Sequence, residues 1–344
     1  MAKLRAALVG CRGRGLRHAD GYVKAEGIDL VAAADNTPKN LEGFKKQFSG
    51  NTYDSAEEMF EKEKPDVVSL VTKEHFRHGL VMMAVDAGVK AIVAEKPMAR
   101  TLAEAHEMCE ACEKAGTLLA ISHQMRFCPE FEEERRALLA GEIGQPLFIR
   151  ASSILPLMDQ GTHVMDMLLW MTDGAKAEWA MGQVDELEEW KEKCTHPAPP
   201  WTVGYVSFEG GLRGVLEAGA KDVPPPIKSD LPKTLRKRCE IIGADGYIDA
   251  VVAHYCKVIN KDGTRVLQSS RDDWDAATPR FMQEVRDVLE KGGEHRCNGR
   301  EALRGMEIMY AMMESALQRK AVALPLPRES DPLSKILPGG EDRP

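Results

Sequence analysis

Two stretches bring together residues that could hold charge and move protons. The first is "AEKPMA", which sets Glu95, Lys96 and Pro97 directly after an apolar, strand-like run. In an open α/β sheet, ligands bind beyond the carboxyl ends of the strands, so a lysine there faces the cleft rather than bulk solvent. The second stretch is "MDQGTHVMDMLLW". Asp159, His163 and Asp166 fall at i, i+4 and i+7, the spacing of one helix face. A carboxylate beside an imidazole can orient the ring and raise its basicity. The helix signal begins near Gly161, so Asp159 is alternatively an N-cap. An Asp/His set could also bind a metal, but no further ligands follow at a recognisable spacing, and no metal is expected.

A third stretch, "ALVGCRGRGLRHA", adds a binding element. The apolar run Leu4–Val9 ends at Gly10, a turn with Gly13 and Gly15 follows, and a helix signal begins. A helix N-terminus there offers unpaired backbone N–H groups and a positive dipole end to a pyrophosphate. Asp35 closes the next apolar run at the offset expected of an acid that accepts hydrogen bonds from an adenosine ribose. Arg12 stands where the G-x-G-x-x-G pattern has its second glycine, and its side chain is expected to point out of the turn. Asp35, followed by Asn36 and Thr37, would repel a 2′-phosphate, which favours NAD. Arg12 and Lys39 keep NADP open.

These residues need elements to position them. Near-continuous apolar runs end at Val9, Asp35, Thr72, Lys96 and Ser122, with amphipathic segments between them. Such runs suit strands buried on both faces of a parallel sheet. The segment "TLAEAHEMCEACEKAG" opens on Thr101 with Glu104 three residues on, a capping-box pattern, and closes on Gly116. Alternating strand and helix imply a doubly wound α/β domain over residues 1–123. After Pro129 the pattern changes to one helix and then consecutive short strands with tight turns, such as Gly210-Gly211 and Lys261-Asp262-Gly263. That reads as an α+β domain with a large, mostly antiparallel sheet over 124–330, followed by an extended tail over 331–344. "VPPPIKSDLPK" reads as a proline-rich loop, and the stripe Met306, Met309, Met312 and Met313 as core packing.

Composition bounds the rest. The chain has 344 residues, 43% hydrophobic and 29% charged, enough for two domains with sizeable cores. No apolar run is long enough to span a membrane. The start "MAKLRAALVG" does not suit a signal peptide, and eight scattered cysteines read as reduced thiols, so a cytoplasmic location is expected. Cys109 and Cys112 form a C-x-x-C, but within a helix signal, which does not suit redox chemistry. A net charge of −8 argues against general nucleic-acid binding.

Taken in order, "VGCRGRG", Asp35, "VTKEHFRHGL", "AEKP", "HQMRF" and "DQGTHVMDMLLW" resemble the Gfo/Idh/MocA family of oxidoreductases. The resemblance runs over nearly the whole chain, including "GEIGQPLFI" and "EIIGADGYI". It implies a Rossmann domain, a second domain on an open sheet, and a homodimer or homotetramer formed through that sheet. The implied reaction is hydride transfer between NAD(P) and a secondary hydroxyl of a sugar, sugar derivative or cyclitol. Lys96, Asp159 and His163 match the family's catalytic residues. Gly10, Arg12, Gly13, Arg14, Gly15, Asp35, Thr72, His75, Glu95 and Lys96 match its cofactor-binding positions, and Lys96, Gln124, Arg126, Asp159 and His163 its substrate-lining ones. Arg12 for glycine and Lys73 for the usual proline are departures. The alternatives are an NAD-dependent glycoside hydrolase or lyase that borrows and returns the hydride, a transhydrogenase with a tightly held cofactor, and a cofactor-binding sensor without turnover.

Overall fold

The computed structural model describes residues 3–185, 196, 198–219 and 231–336. They form two compact units, Met1–Phe127 with Ala276–Leu303, and Cys128–Asp275 with Arg304–Pro344.

The first unit holds a six-stranded sheet of β1 (Leu4–Val9), β2 (Ile28–Ala34), β3 (Asn51–Tyr53), β4 (Val67–Leu70), β5 (Ala91–Ala94) and β6 (Leu118–Ile121). The order is β3-β2-β1-β4-β5-β6 and every pairing is parallel. β4 and β5 are buried along their whole length, as their unbroken apolar runs require. The order reverses between β1 and β4, the switch point at which open parallel sheets bind ligands. Between the strands run α1 (Gly13–Lys24), α2 (Pro38–Lys45), α3 (Ala56–Glu63), α4 (Glu74–Asp86) and α5 (Leu102–Ala115). The cap forms with one change from the usual box: Thr101 Oγ1 accepts the Glu104 N–H at 3.2 Å, while Glu104 reaches past Thr101 to accept the Arg100 N–H at 2.9 Å. Strand β3, three residues long, had no signal in the sequence.

The chain later returns to this unit. Residues 276–303 group with it, whereas their place in the sequence suggested the second domain. They span most of α8 (Arg271–Lys291) and the start of α9 (Gly299–Gln318). Gly21 leaves room for Thr278 and Met282, and a bridge joins Ala120 to Asn298.

The second unit carries α6 (Pro129–Leu139), α7 (Thr162–Met171) and a nine-stranded sheet. Its strands are β7 (Pro146–Ser153), β8 (Ala177–Val184), β9 (Thr202–Phe208), β10 (Arg213–Ala218), β11 (Lys237–Gly243), β12 (Gly246–Val251), β13 (Tyr255–Asn260), β14 (Gly263–Gln268) and β15 (Val322–Ala323). They run in the order β14-β13-β12-β11-β7-β10-β9-β8-β15. All pairings are antiparallel except β7 with β10. Met306, Met309, Met312 and Met313 are buried, and Gly182 and Gly204 let Met312 of α9 approach β8 and β9 closely. Within the tail expected to be extended, Pro332–Ile336 instead form α10, with Leu333 and Ile336 packed inward at helical spacing, and residues 337–344 lie outside the described residues. Most of the proline-rich loop lies outside the described residues. No described helix is long and apolar enough to cross a membrane.

Glu134 on α6 is fully buried beside Cys239, and burial pushes its carboxyl well above the usual range. A raised folded-state pKa makes its contribution to stability fade as pH climbs from the unfolded value towards the folded one. Each pH unit in that window costs about 1.4 kcal/mol per retained proton. Glu134→Gln removes the titration, so thermal melts should show the variant gaining on wild type as pH rises above about 5, once the unfolded carboxyl, with its ordinary pKa of about 4.3, has ionised.

Candidate active site

The glycine turn is built by two close approaches of backbone. Gly10 ends β1 at φ +94°, and a Cβ there would stand 2.2 Å from the Val71 carbonyl oxygen. At Gly15, on the first turn of α1, a Cβ would stand 1.8 Å from the Gly10 carbonyl oxygen. Gly13 faces open space. Arg12 caps α1 with φ −85° and ψ 168°, extended backbone that any residue adopts, and it is exposed. Arginine is therefore tolerated in place of the second glycine. The first-turn N–H groups of α1 lack intrahelical partners by geometry and suit an anion. Asp35 follows β2 in its expected place. One oxygen accepts the Cys11 N–H at 2.7 Å, and the other accepts the Thr37 N–H at 2.9 Å and the Asn40 side-chain amide at 3.0 Å.

Beyond β5 lies a buried charge cluster. Glu95 and Lys96 are each 6% exposed, and the Lys96–Pro97 peptide is cis. Glu95 Oε1 meets Arg14 Nε at 2.6 Å and His18 Nε2 at 3.1 Å, while Oε2 accepts the Lys96 N–H at 3.2 Å. Burial alone would raise the Glu95 carboxyl. Arg14, the His18 hydrogen bond and Lys96 outweigh it and hold the group well below its usual range. His18 is fully buried, which lowers its pKa, with Glu95 opposing. Its Nδ1 lies 3.0 Å from Ser69 Oγ, which lies 2.7 Å from the Tyr22 hydroxyl, and Ser122 Oγ lies 3.3 Å from Nε2. The fully buried Arg77 donates to the Thr72 and Pro97 carbonyls.

The remaining expected residues of this unit divide. Thr72 follows β4 and presents a buried hydroxyl with no protein partner among the described residues. His75 is half-buried, its ring 4.0 Å from that of Phe76. Gln124 and Arg126 sit on a short turn of 3₁₀ helix, Gln124–Phe127, each 2% exposed. The Arg126 guanidinium donates to the Arg296 carbonyl at 2.5 Å and meets Glu301 at 3.8 Å, so it braces the returning segment of its own unit. The Gln124 side-chain oxygen is buried without a partner among the described residues.

In the second unit, Asp159, His163 and Asp166 are buried, with exposures of 8%, 2% and 3%. Asp159 is neither on α7 nor its N-cap. It lies in a π-type turn, Leu157–Gly161, in which the N–H groups of Asp159, Gln160 and Gly161 all point to the Pro156 carbonyl. α7 then starts at Thr162, so His163 and Asp166 share a face without Asp159. Gly161 allows this turn to pack on β10, with its Cβ position 3.0 Å from Ala218 Cβ. Cys109 and Cys112 are buried on α5, and burial pushes the thiols up to about 11 and about 12. Neither is a reactive thiolate at neutral pH. No group of three or more His, Cys, Asp or Glu side chains is arranged for a metal ion among the described residues.

His18, Ser69, Tyr22, Ser122 and Arg77 were not singled out by the sequence. One signal was present: Gly15, His18, Ala19 and Tyr22 form an i, i+3, i+4, i+7 stripe buried on α1. A histidine on such a stripe needs a buried partner.

Residues 4–123 match the model of an oxidoreductase family with an NAD-binding Rossmann fold. A D-apiose dehydrogenase from Paraburkholderia graminis is 26% identical over 94% of this chain and 90% of its own length. The scyllo-inositol 2-dehydrogenase (NAD(+)) of Bacillus subtilis is 26% identical over 72% of this chain and 73% of its own. Among solved structures, an oxidoreductase from Agrobacterium radiobacter in complex with NAD+, L-tartaric acid and magnesium superposes with a TM-score of 0.81. It is 20% identical, covers 93% of this chain and 98% of its own, and so establishes the shared fold.

The two close approaches make a prediction. A Gly15→Ala methyl would overlap the Gly10 carbonyl and destabilise the turn by about 3 kcal/mol, the upper range for an overpacked core site. Melting and NAD titration should both show the loss. Gly13→Ala, whose added methyl meets no protein atom, should melt as wild type does.

Proposed function

We propose that this chain, which belongs to the Gfo/Idh/MocA family of oxidoreductases, is an NAD-dependent dehydrogenase of sugars, sugar derivatives or cyclitols. The observation that carries the reading is the convergence at one sheet edge of the Gly10/Gly15 cradle, Asp35 and the buried Glu95-Lys96 pair. These residues fit a dinucleotide. The turn from Gly10 through Arg12, Gly13 and Arg14 to Gly15 would take the pyrophosphate, and Asp35 the adenosine ribose. Thr72, with its unpartnered hydroxyl, His75 and Glu95 line the edge where the rest of the cofactor would lie. Asp35 favours NAD, since a carboxylate there repels a 2′-phosphate.

The cofactor, when bound, supplies the hydride acceptor or donor. The protein handles the proton and the charge. Neutral His163 takes the proton of the substrate's secondary hydroxyl. Lys96 hydrogen-bonds the same oxygen and stabilises the negative charge that develops on it. Asp159, in the turn just before the helix of His163, matches the family's catalytic aspartate, and Gln124 offers its unpartnered side-chain oxygen to a further hydroxyl. Thiols as buried as Cys109 and Cys112 suit the reducing cytoplasm, where we place the protein.

We also propose that the open face of the large sheet pairs with a second copy. Register brings Met181, Tyr205, Val215, Arg150, Glu240, Asp249, Lys257 and Val266 into one row on that face. Met181, Ile242, Ile259 and Val266 there are 47%, 46%, 39% and 43% exposed. Exposed apolar residues on such a face suit an interaction surface, and its mixed apolar and ion-paired row is suited to self-complementary pairing.

The cofactor, the chemistry and the interface are tested separately. Calorimetry of the nucleotide-stripped protein should show tighter binding of NAD than of NADP, and a panel of sugars and cyclitols should then give NADH. Lys96→Ala should lower turnover by about a thousandfold with NAD binding retained. Wild-type turnover in that variant would remove Lys96 from the mechanism. For the interface, light scattering of the wild type should show a dimer or tetramer, and Met181→Asp with Ile242→Asp should release monomers. A monomeric wild type would refute the pairing.

A further inference from the structure

Arg77 has no assigned part in binding or chemistry, yet it is fully buried on α4. It occupies the inner stripe of that helix together with Glu74, Val81 and Ala84. An apolar side chain would fill that stripe without the cost of burying a guanidinium. Burial lowers the arginine to about 10, against the opposing charges of Glu95 and Glu74. What the arginine adds is a bridge. Its two terminal nitrogens donate to the carbonyl of Thr72, beyond β4, and to the carbonyl of Pro97, immediately after Lys96. The two loops are tied together by one side chain.

The residue before Lys96 is tied from another direction. Glu95 is gripped by Arg14 and by His18, and His18 is itself fixed by Ser69 of β4. Lys96 therefore sits between two anchored neighbours, one held through its side chain and the other through its carbonyl. We propose that His18 and Arg77 are positioning residues that clamp the Lys96 loop from both sides, so that the lysine ammonium is presented in one place. Neither touches the reacting atoms. The clamp rests on the reading of Lys96 as the group that meets the substrate oxygen. Its geometry, however, lies wholly within the first unit.

The test uses the full-length protein and trace acetylation with acetic anhydride, read lysine by lysine by peptide mass spectrometry. Lys62 and Lys90, whose side chains are 60% and 62% exposed, serve as internal references. In wild type, Lys96 should react slowly against them, since it is 6% exposed. In Arg77→Met and in His18→Leu, the ratio for Lys96 should rise about tenfold, as loss of a buried charged hydrogen bond opens the loop. Arg77→Lys keeps a cation but only one donor nitrogen, and its ratio should fall between wild type and Arg77→Met. With the best substrate of the panel, kcat should drop by about a hundredfold, the scale of a misplaced catalytic group. NAD affinity should stay within about twofold. A role confined to stability would lower melting without this split.

An unchanged Lys96 ratio in both variants overturns the clamp, as does wild-type kcat with a raised ratio. Where Arg77→Met fails to fold, Arg77→Lys and His18→Asn carry the same readings. A raised ratio in a protein that turns over no member of the panel upholds the clamp and refutes the proposed substrate class, which keeps the two claims separate.

Discussion

A carboxylate buried at the edge of a parallel sheet must be met by charge, and Glu95 imposes that demand on its whole surroundings. Taking a carboxylate out of water costs several kcal/mol even after relaxation. The compensation comes from separate parts of the chain: Arg14 and His18 from α1, and the Lys96 N–H from the loop itself. Ser69 of β4 and Ser122 beyond β6 fix the imidazole in turn. One ionised group thus joins the glycine turn, the middle of the sheet and the Lys96 loop. The elements that would hold a dinucleotide and the residue that would meet its substrate are parts of one electrostatic unit.

That unit also explains why the turn can depart from the usual glycine pattern. The positions that cannot change are those where backbone meets backbone: Gly10 against Val71, and Gly15 against Gly10. Those contacts draw β1, α1 and the end of β4 together closely enough for Arg14 and His18 to reach Glu95. Position 12 bears no such contact. Its residue has ordinary extended backbone and faces outward, so a side chain costs nothing there and brings a positive charge to the rim of an anion site.

Much of the first unit was legible in the sequence because its signals are local. A buried parallel strand is an unbroken apolar run, and a capped helix announces itself within four residues, as Thr101 and Glu104 do. What escaped was either too short or too distant. Asn51–Tyr53 pairs with β2 through three residues and has no apolar period of its own. β8, "AEWAMGQV", mixes Gly182 and Gln183 into its alternation, since α9 needs the glycine for close approach. The return of residues 276–303 to the first unit depends on fits such as Gly21 against Met282, between positions far apart in sequence. At the site, Lys96, Asp35 and the glycines stood out by motif. His18 and Arg77 did not, because a histidine or arginine on a helix is ordinarily a surface residue and becomes unusual only once its helix is shown to bury it.

The helix around His163 turns the same logic into a usable signal. α7 is buried along almost its whole length and is otherwise made of methionine, leucine, valine, threonine and tryptophan. In such a segment each ionisable side chain carries a desolvation cost that an apolar residue would avoid. His163 and Asp166 on the helix, and Asp159 in the turn before it, are exceptions of this kind. The π-type turn matters to how they are read. Counting i, i+4, i+7 assumes an uninterrupted α-helical period, and the wider turn at Leu157–Gly161 breaks that period between Asp159 and His163. The spacing therefore grouped these residues for a reason that does not hold in three dimensions. The reason that does hold is energetic: a charged or polar group placed where burial penalises it needs a partner within the protein or a ligand, and α1, α4 and α7 each carry such a group on an inward stripe.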